Sequence, residues 1–241
     1  CHRLNMKTYI INGSKVSRLP VAIQDDIIDF VTSNAKSCIF SYDKMQTLAT
    51  WEERTNIDGR INAISNIKTF SLSEKIRTNK EIANFIKMLF NNKRTFELVS
   101  SGNIEINYFH NLDDARGYLY SLDSGSWEVL RFTPSQYDKE HHDKYANVYN
   151  KTSHRVIGQE FDNVAVTIDE YFEYDSDGRL VFKGRSYYYP LKMLFQNITR
   201  ARKKLNPVII NNQVLLNRCL SILKYPPFLR GFLTKSPPLF L

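Results

Sequence analysis

Residues 194–211, Leu-Phe-Gln-Asn-Ile-Thr-Arg-Ala-Arg-Lys-Lys-Leu-Asn-Pro-Val-Ile-Ile-Asn, constrain the fold more than any other stretch. Leu191, Leu194, Phe195 and Ile198 recur at helical spacing, so one helix face packs inward. Pro207 disfavours a helical Asn206, and the pattern predicts a helix that stops at Asn206-Pro207. Val208-Ile209-Ile210 then reads as a short buried parallel strand. Thr199-Arg200-Ala201-Arg202 falls in the last two turns of that helix. A packed helix end holds an arginine stiffly and aims it out of the domain. The alternative is a basic last turn that simply complements the helix dipole.

The same alternation of helix and strand runs through the chain. Residues 20–34 read as a helix, with Val21, Ile23, Ile27, Phe30 and Val31 inward and Asp25, Asp26 and Asp29 outward. Strands are expected at 38–41 and 68–72. A helix follows at 79–90, opened by a capping box of Thr78 and Glu81. Further strands are expected at 104–109, 127–132 and 164–168, with a helix at 112–122 capped by Asn111. Asp175-Ser176-Asp177-Gly178-Arg179 marks a hairpin turn. A last helix spans 212–223. Residues 135–151 are polar, and adjacent His141 and His142 point apart, which disfavours a metal site. Tyr187-Tyr188-Tyr189 either stack on bases or pack in a hairpin.

A chain of 241 residues with 42% hydrophobic content buries one or two ordinary cores. No apolar run approaches the ~20 residues that span a bilayer, so no membrane partner is expected. The amino end lacks the order of a signal peptide, and Cys1, Cys38 and Cys219 form neither a disulfide framework nor a zinc knuckle. A reducing cytoplasm fits. The first residue is not Met, and a processed, cut or partial chain is expected. A net charge of +8 favours an anionic partner such as DNA or RNA, in single strands.

Four segments carry residue types suited to chemistry. Strand followed by Asp43-x-x-Gln46 sets a neutral donor and acceptor at a strand's carboxyl end, where α/β folds hold ligands; ordinary turn residues are the alternative. Arg77, just ahead of a helix amino terminus, is poorly placed for the dipole, which favours a separate role over a solvated arginine. Thr152-Ser153-His154 leads into Gly158-Gln159-Glu160-Phe161-Asp162 and a β-branched strand. That reads equally as a glycine turn with a solvated glutamate. Thr199-Arg200 closes the set.

In this order the segments resemble the motifs of superfamily 1 helicases, and most closely those of the Schlafen-group-3-like DNA/RNA helicase family, over the chain to about Lys224. The resemblance implies an α/β fold of RecA-like parallel sheets flanked by helices, of the P-loop NTPase type. ATP and magnesium would lie between two such domains, with nucleic acid across their top. It gives Gln46 the γ-phosphate and its water, and Arg77 the γ-phosphate from across the cleft. Gly158 would let the backbone approach the nucleotide, and Glu160 would accept from the ribose hydroxyls. Thr152, Ser153 and His154 would line the nucleic-acid path, and Arg200 would be the arginine finger.

One departure is large. None of the nine glycines opens G-x-x-x-x-G-K-[ST], and Gly13-Ser14-Lys15 has no glycine in the earlier position. Cys1-His2-Arg3-Leu4 resembles the residues that follow a magnesium-binding acidic pair. The phosphate loop and those acids are therefore expected ahead of Cys1. Residues 1–72 are expected to be the carboxyl-terminal remnant of a first RecA-like domain, 73–224 the second, and 225–241 a tail without an assigned role. The expected function is the carboxyl-terminal part of an ATP-dependent DNA/RNA helicase or translocase. Its partner would be the missing amino-terminal RecA-like half. No metal ligands of its own, no tight ATP binding and no activity alone are expected. The alternative, of another class, is a basic nucleic-acid-binding module that works without ATP.

Overall fold

The structure is a computed structural model that describes residues 8–34, 37–43, 47–70, 78–95, 99–122, 124–135, 137 and 151–224. The chain divides into two compact units, Cys1–Lys75 with Tyr187–Lys192, and Ile76–Ser186 with Met193–Leu241.

The first unit contains β1 (Thr8–Asn12), α1 (Gly13–Val16), α2 (Val21–Asn34), β2 (Ser37–Ser41), α3 (Thr50–Arg54) and α4 (Ile57–Asn62). β1 and β2 pair in parallel, with Ile10 opposite Ile39. Parallel strands need a crossover, and α2 supplies it. The core here is Val16, Ile28, Ile57 and Ile61, with Ile11, Phe40 and Tyr42 against it. α2 buries only part of the expected face: Val31 is inside and Ile27 packs on the core as expected, but Gln24 and Ile28 are also inside, while Val21, Ile23 and Phe30 are exposed. The cause is a satisfied polar group. Gln24 donates to the Leu19 carbonyl at 2.7 Å and accepts from Arg60 of α4 at 2.7 Å, so an amide occupies a core position. Glu52 is likewise buried, accepting from the Leu48 N–H at 2.6 Å and pairing with Arg18 at 3.4 Å. The strand expected at 68–72 does not form over 68–70, which join no sheet and leave Phe70 83% exposed; Ser71 and Leu72 lie outside the described residues.

The second unit holds α5 (Lys80–Leu89), β3 (Val99–Ser100), β4 (Asn107–Phe109), α6 (Leu112–Ser121), β5 (Glu128–Leu130), β6 (Phe161–Ile168), β7 (Phe172–Tyr174), β8 (Leu180–Phe182), α7 (Pro190–Ile198), β9 (Ala201–Ile210), α8 (Gln213–Ile222) and β10 (Leu223–Lys224). The first three residues of α7 belong to the first unit. The main sheet runs β4-β9-β6-β5, and all its pairs are parallel. α6 covers one face through Ala115 and Leu119, packed with Val129, Ala165, Val208 and Ile210. α5 packs on β9 and α8. Residues 164–168 and 205–210 are buried throughout, without alternation, because helices flank the sheet. This is the expected α/β class.

Two helix starts follow local chemistry. Asn111 caps α6 through the Asp114 N–H. α5 is capped by Asn79, whose Oδ1 accepts from the Ile82 N–H at 2.8 Å, and not by the expected Thr78. β7 and β8 form the expected hairpin. Gly178 in its turn has φ 76°, in the left-handed region that favours glycine. Arg218 of α8 donates to the carbonyls of Met88, Asn91 and Arg94, satisfying the open end of α5.

The organising helix ends eight residues before the expected stop. α7 closes at Ile198 and β9 begins at Ala201, so 201–206 are strand and not helix. Pro207 sits inside β9. It is tolerated because pairing toward β4 skips from Ile104↔Leu205 to Asn107↔Val208, and the gap falls where proline has no N–H to give.

Candidate functional site

The amino ends of β6 and β9 lie side by side, and the Phe161 N–H donates to the Arg200 carbonyl at 2.9 Å. Thr199 ends α7 above them. Its hydroxyl donates back to the Phe195 carbonyl at 2.7 Å, competing with the helix ladder. Arg200 then folds under the helix end instead of pointing out of the unit. Its Nε donates to the Gln196 carbonyl at 3.0 Å, Nη1 to the Gln159 carbonyl at 3.1 Å, and Nη2 to Gln196 Oε1 at 3.3 Å. It is 9% exposed. The expected rigid hold is present, but it is directed inward.

The structure thus joins the Gly158–Glu160 turn to Thr199-Arg200. Gly158 has φ 81°, and a Cβ there would meet nothing within 4 Å. Glycine is set by the backbone dihedral, and the space over it is open. Glu160 is partly buried and lies 3.9 Å from Arg202 Nε. Arg202 is a strand residue, so its separation from Arg200 comes from the break after α7 and not from opposite helix faces. Lys203 pairs with Asp162 at 2.7 Å and Lys204 with Glu105 at 3.0 Å, both in water. The hydrogen bond from Lys203 holds the Asp162 carboxyl below its usual range.

Thr152, Ser153 and His154 lie elsewhere, beyond the end of β5. Thr152 and Ser153 are buried. Thr152 forms a parallel bridge with Arg131, and the Ser153 N–H donates to the Arg131 carbonyl at 3.0 Å. The His154 N–H donates to Thr133 Oγ1 at 3.1 Å, and its Nδ1 lies 2.7 Å from the same oxygen. The Arg131 carbonyl also accepts from Asn197 Nδ2 at 3.2 Å, so this segment is tied to the last turn of α7. Gln46 and Arg77 lie outside the described residues, while Asp43 is exposed.

Sequence reasoning missed Gln196 and Asn197, both buried. The signal was available: two amides interrupt the apolar run over 193–198, and Gln196 stands one helical turn before Arg200. Among the described residues no group of three or more His, Cys, Asp or Glu is placed to hold a metal. No helix among them is long and apolar enough to cross a membrane.

No family model matches the chain. No curated protein matches it. Among solved structures the chain is similar to the C-terminal domain of a possible DNA helicase from Lactobacillus plantarum. The identity is 16%, over 59% of this chain and 92% of that one, with a TM-score of 0.32. A likeness at that score carries no argument about fold or function.

Proposed function

We propose that this chain is the carboxyl-terminal part of an ATP-dependent DNA or RNA helicase or translocase and contributes one wall of its nucleotide site. One observation carries the reading. Two segments singled out in the sequence, Gly158-Gln159-Glu160 and Thr199-Arg200, meet through the Arg200–Gln159 bond although those residues are 41 positions apart. The residues fit such a wall: an open glycine turn, a partly exposed carboxylate and a cation directly behind them. ATP with magnesium, when bound, supplies the transferable phosphoryl group. Glu160 would accept from the ribose hydroxyls. Arg200 would offset charge that develops on phosphoryl oxygens, without reorganisation at that moment. The segment Thr152–His154 would sense nucleic acid and pull on α7 through the Arg131 carbonyl it shares with Asn197. The narrower Schlafen-group-3-like assignment rests on the sequence motifs, as does a cytoplasmic location.

The test has two arms. The reading frame ahead of Cys1 should encode a phosphate loop and an acidic pair, and this chain alone should release no phosphate from ATP. In the longer protein, Arg200→Ala should lower turnover by roughly 10³–10⁵, with nucleotide affinity measured separately. The buried bonds of Arg200 mean that this variant also loses stability, so turnover is compared on folded protein. Turnover by the purified chain alone, or a mild loss equal to that of Arg202→Ala, would overturn the reading. The second reading, an ATP-independent nucleic-acid module, is favoured by the exposed run Arg202-Lys203-Lys204. A natural start at Cys1 with steeply salt-dependent binding would select it.

A further inference from the structure

Gln196 is 2% exposed and only half satisfied. A guanidinium only donates, so the atom 3.3 Å from Arg200 Nη2 is the amide oxygen. The other end of the amide, Nε2, is buried and has no hydrogen-bond partner among the described residues. A buried donor left unpaired is costly, and an arrangement that keeps one invites an acceptor. Three bonds of Arg200, one from each nitrogen, also differ in kind. Nε and Nη1 are anchored on backbone carbonyls, which are fixed, whereas Nη2 is held by a side chain, which can turn.

We propose that Gln196 is a second oxyanion donor beside Arg200, recognising a phosphoryl-type oxygen. Without the oxyanion, the amide oxygen stands in for it and occupies Nη2. A half-turn of the terminal amide exchanges its two ends and brings Nε2 toward the guanidinium. Two donors cannot face each other unless an acceptor bridges them, so the turned state exists only with a bound oxygen. Gln196 and Nη2 then donate to that oxygen together. No covalent bond is made or broken. The approach is from the open side of Gly158, next to the carbonyl that anchors Nη1. The inference rests on the reading that a phosphoryl group comes to Arg200, and it adds the residue that selects for it.

The experiment titrates the full ¹⁵N-labelled chain with tripolyphosphate and, separately, with ATP. The readout is the Arg200 Nε–H resonance, assigned by its loss in Arg200→Lys. Wild type should show a saturable shift. Gln196→Glu keeps an acceptor for Nη2 but cannot donate. It should retain the Arg200 resonance in the free chain and bind tripolyphosphate at least about tenfold more weakly, the worth of one charged hydrogen bond. Gln196→Leu, of similar size, should weaken binding by a similar factor and serves if the glutamate variant does not fold. Binding by the variants as tight as wild type, or an Arg200 resonance that tripolyphosphate does not move, overturns the proposal. ATP and tripolyphosphate acting alike would leave the donor pair standing and count against the nucleotide reading. ATP shifting Gly158 and Glu160 but not Arg200 would do the reverse.

Discussion

At the amino ends of β6 and β9, Glu160, Asp162, Arg202 and Lys203 are charged and reach water. At the carboxyl ends of the same two strands, Asp169 and Asn212 are buried and bond to backbone. Asp169 Oδ1 accepts from the Tyr171 N–H at 3.0 Å. Asn212 Oδ1 caps α8 through the Leu215 N–H at 3.1 Å, and its Nδ2 donates to the carbonyls of Asp169 and Phe172 at 2.8 and 2.7 Å. Many α/β folds hold ligands at the carboxyl end. Here the buried polar groups at that end, Asp169 and Asn212, bond to backbone of their own chain. The amino end is joined by exchangeable ion pairs and by an arginine that has a half-satisfied side-chain partner in Gln196. Polar atoms committed to backbone make structure, and those held by movable side chains are open to a ligand.

The largest test of that contrast is Asn212→Ala. It removes a helix cap and takes a donor from the carbonyls of Asp169 and Phe172, the first of which keeps the Phe172 N–H, so it should cost about 2–4 kcal/mol. Arg202→Ala at the other end should cost within about 1 kcal/mol, as exposed ion pairs do. Urea unfolding midpoints measure both. Equal losses would mean that the two ends are not built differently.

A second test uses pH. Burial pushes the Cys219 thiol in α8 from 9.0 up to about 12 and raises the Tyr174 hydroxyl in β7. Groups raised in the folded state contribute stability that is full below their unfolded values and lost as pH climbs toward the folded ones. Unfolding free energy should therefore fall from about pH 9 toward 12. At the amino end Asp162 is depressed by its bond from Lys203. Its contribution is present above the unfolded carboxylate value and lost as pH falls through the depressed one. Asp162 is exposed to water, so the acid loss from this pair should be the smaller. A pH profile of wild type against Cys219→Ala and Asp162→Asn separates the arms, and an acid loss abolished by Asp162→Asn that exceeds the alkaline one would reverse the contrast.

The carboxyl end was partly legible in the sequence, where its devices are local: Asn111 before Leu112 is a cap that depends on a neighbour three residues away. Asn212 reads as the first residue of the last helix, and its bonds to the Asp169 and Phe172 carbonyls, far back in the chain, carry no local signal. The β6 core, 164–168, was legible from composition. The amino end was not. Ala201–Asn206 form a strand through partners on β6 and near β4, whereas local spacing favoured continuing a helix past Thr199. The inward turn of Arg200 depends on a carbonyl at Gln159 that no periodicity predicts. Helix α2 shows the same limit, since the buried Gln24 has its amide oxygen satisfied by Arg60, far along the chain.

The smallest expected effect concerns the Asp162–Lys203 pair, and it bears on what the amino end meets. Lys203 is 69% exposed and Asp162 52%, so water and salt screen their attraction. Asp162→Asn should scarcely change the unfolding midpoint. Its effect should appear in nucleic-acid binding, because a phosphate that reaches Lys203 must first displace a carboxylate. Removing that competitor leaves the lysine cation and takes away a repelling charge. Binding of single-stranded oligonucleotide at low salt should tighten severalfold, and the plot of log affinity against log salt should steepen by up to ~0.7, about one phosphate on a single strand. Lys203→Ala should do the opposite by a similar amount. A filter-binding or anisotropy series across salt, on both variants, is the measurement. If neither variant moves the slope, the ion pairs along the start of β9 are structural ornaments of the strand, and the contrast between the two ends reduces to Arg200 and Gln196 alone.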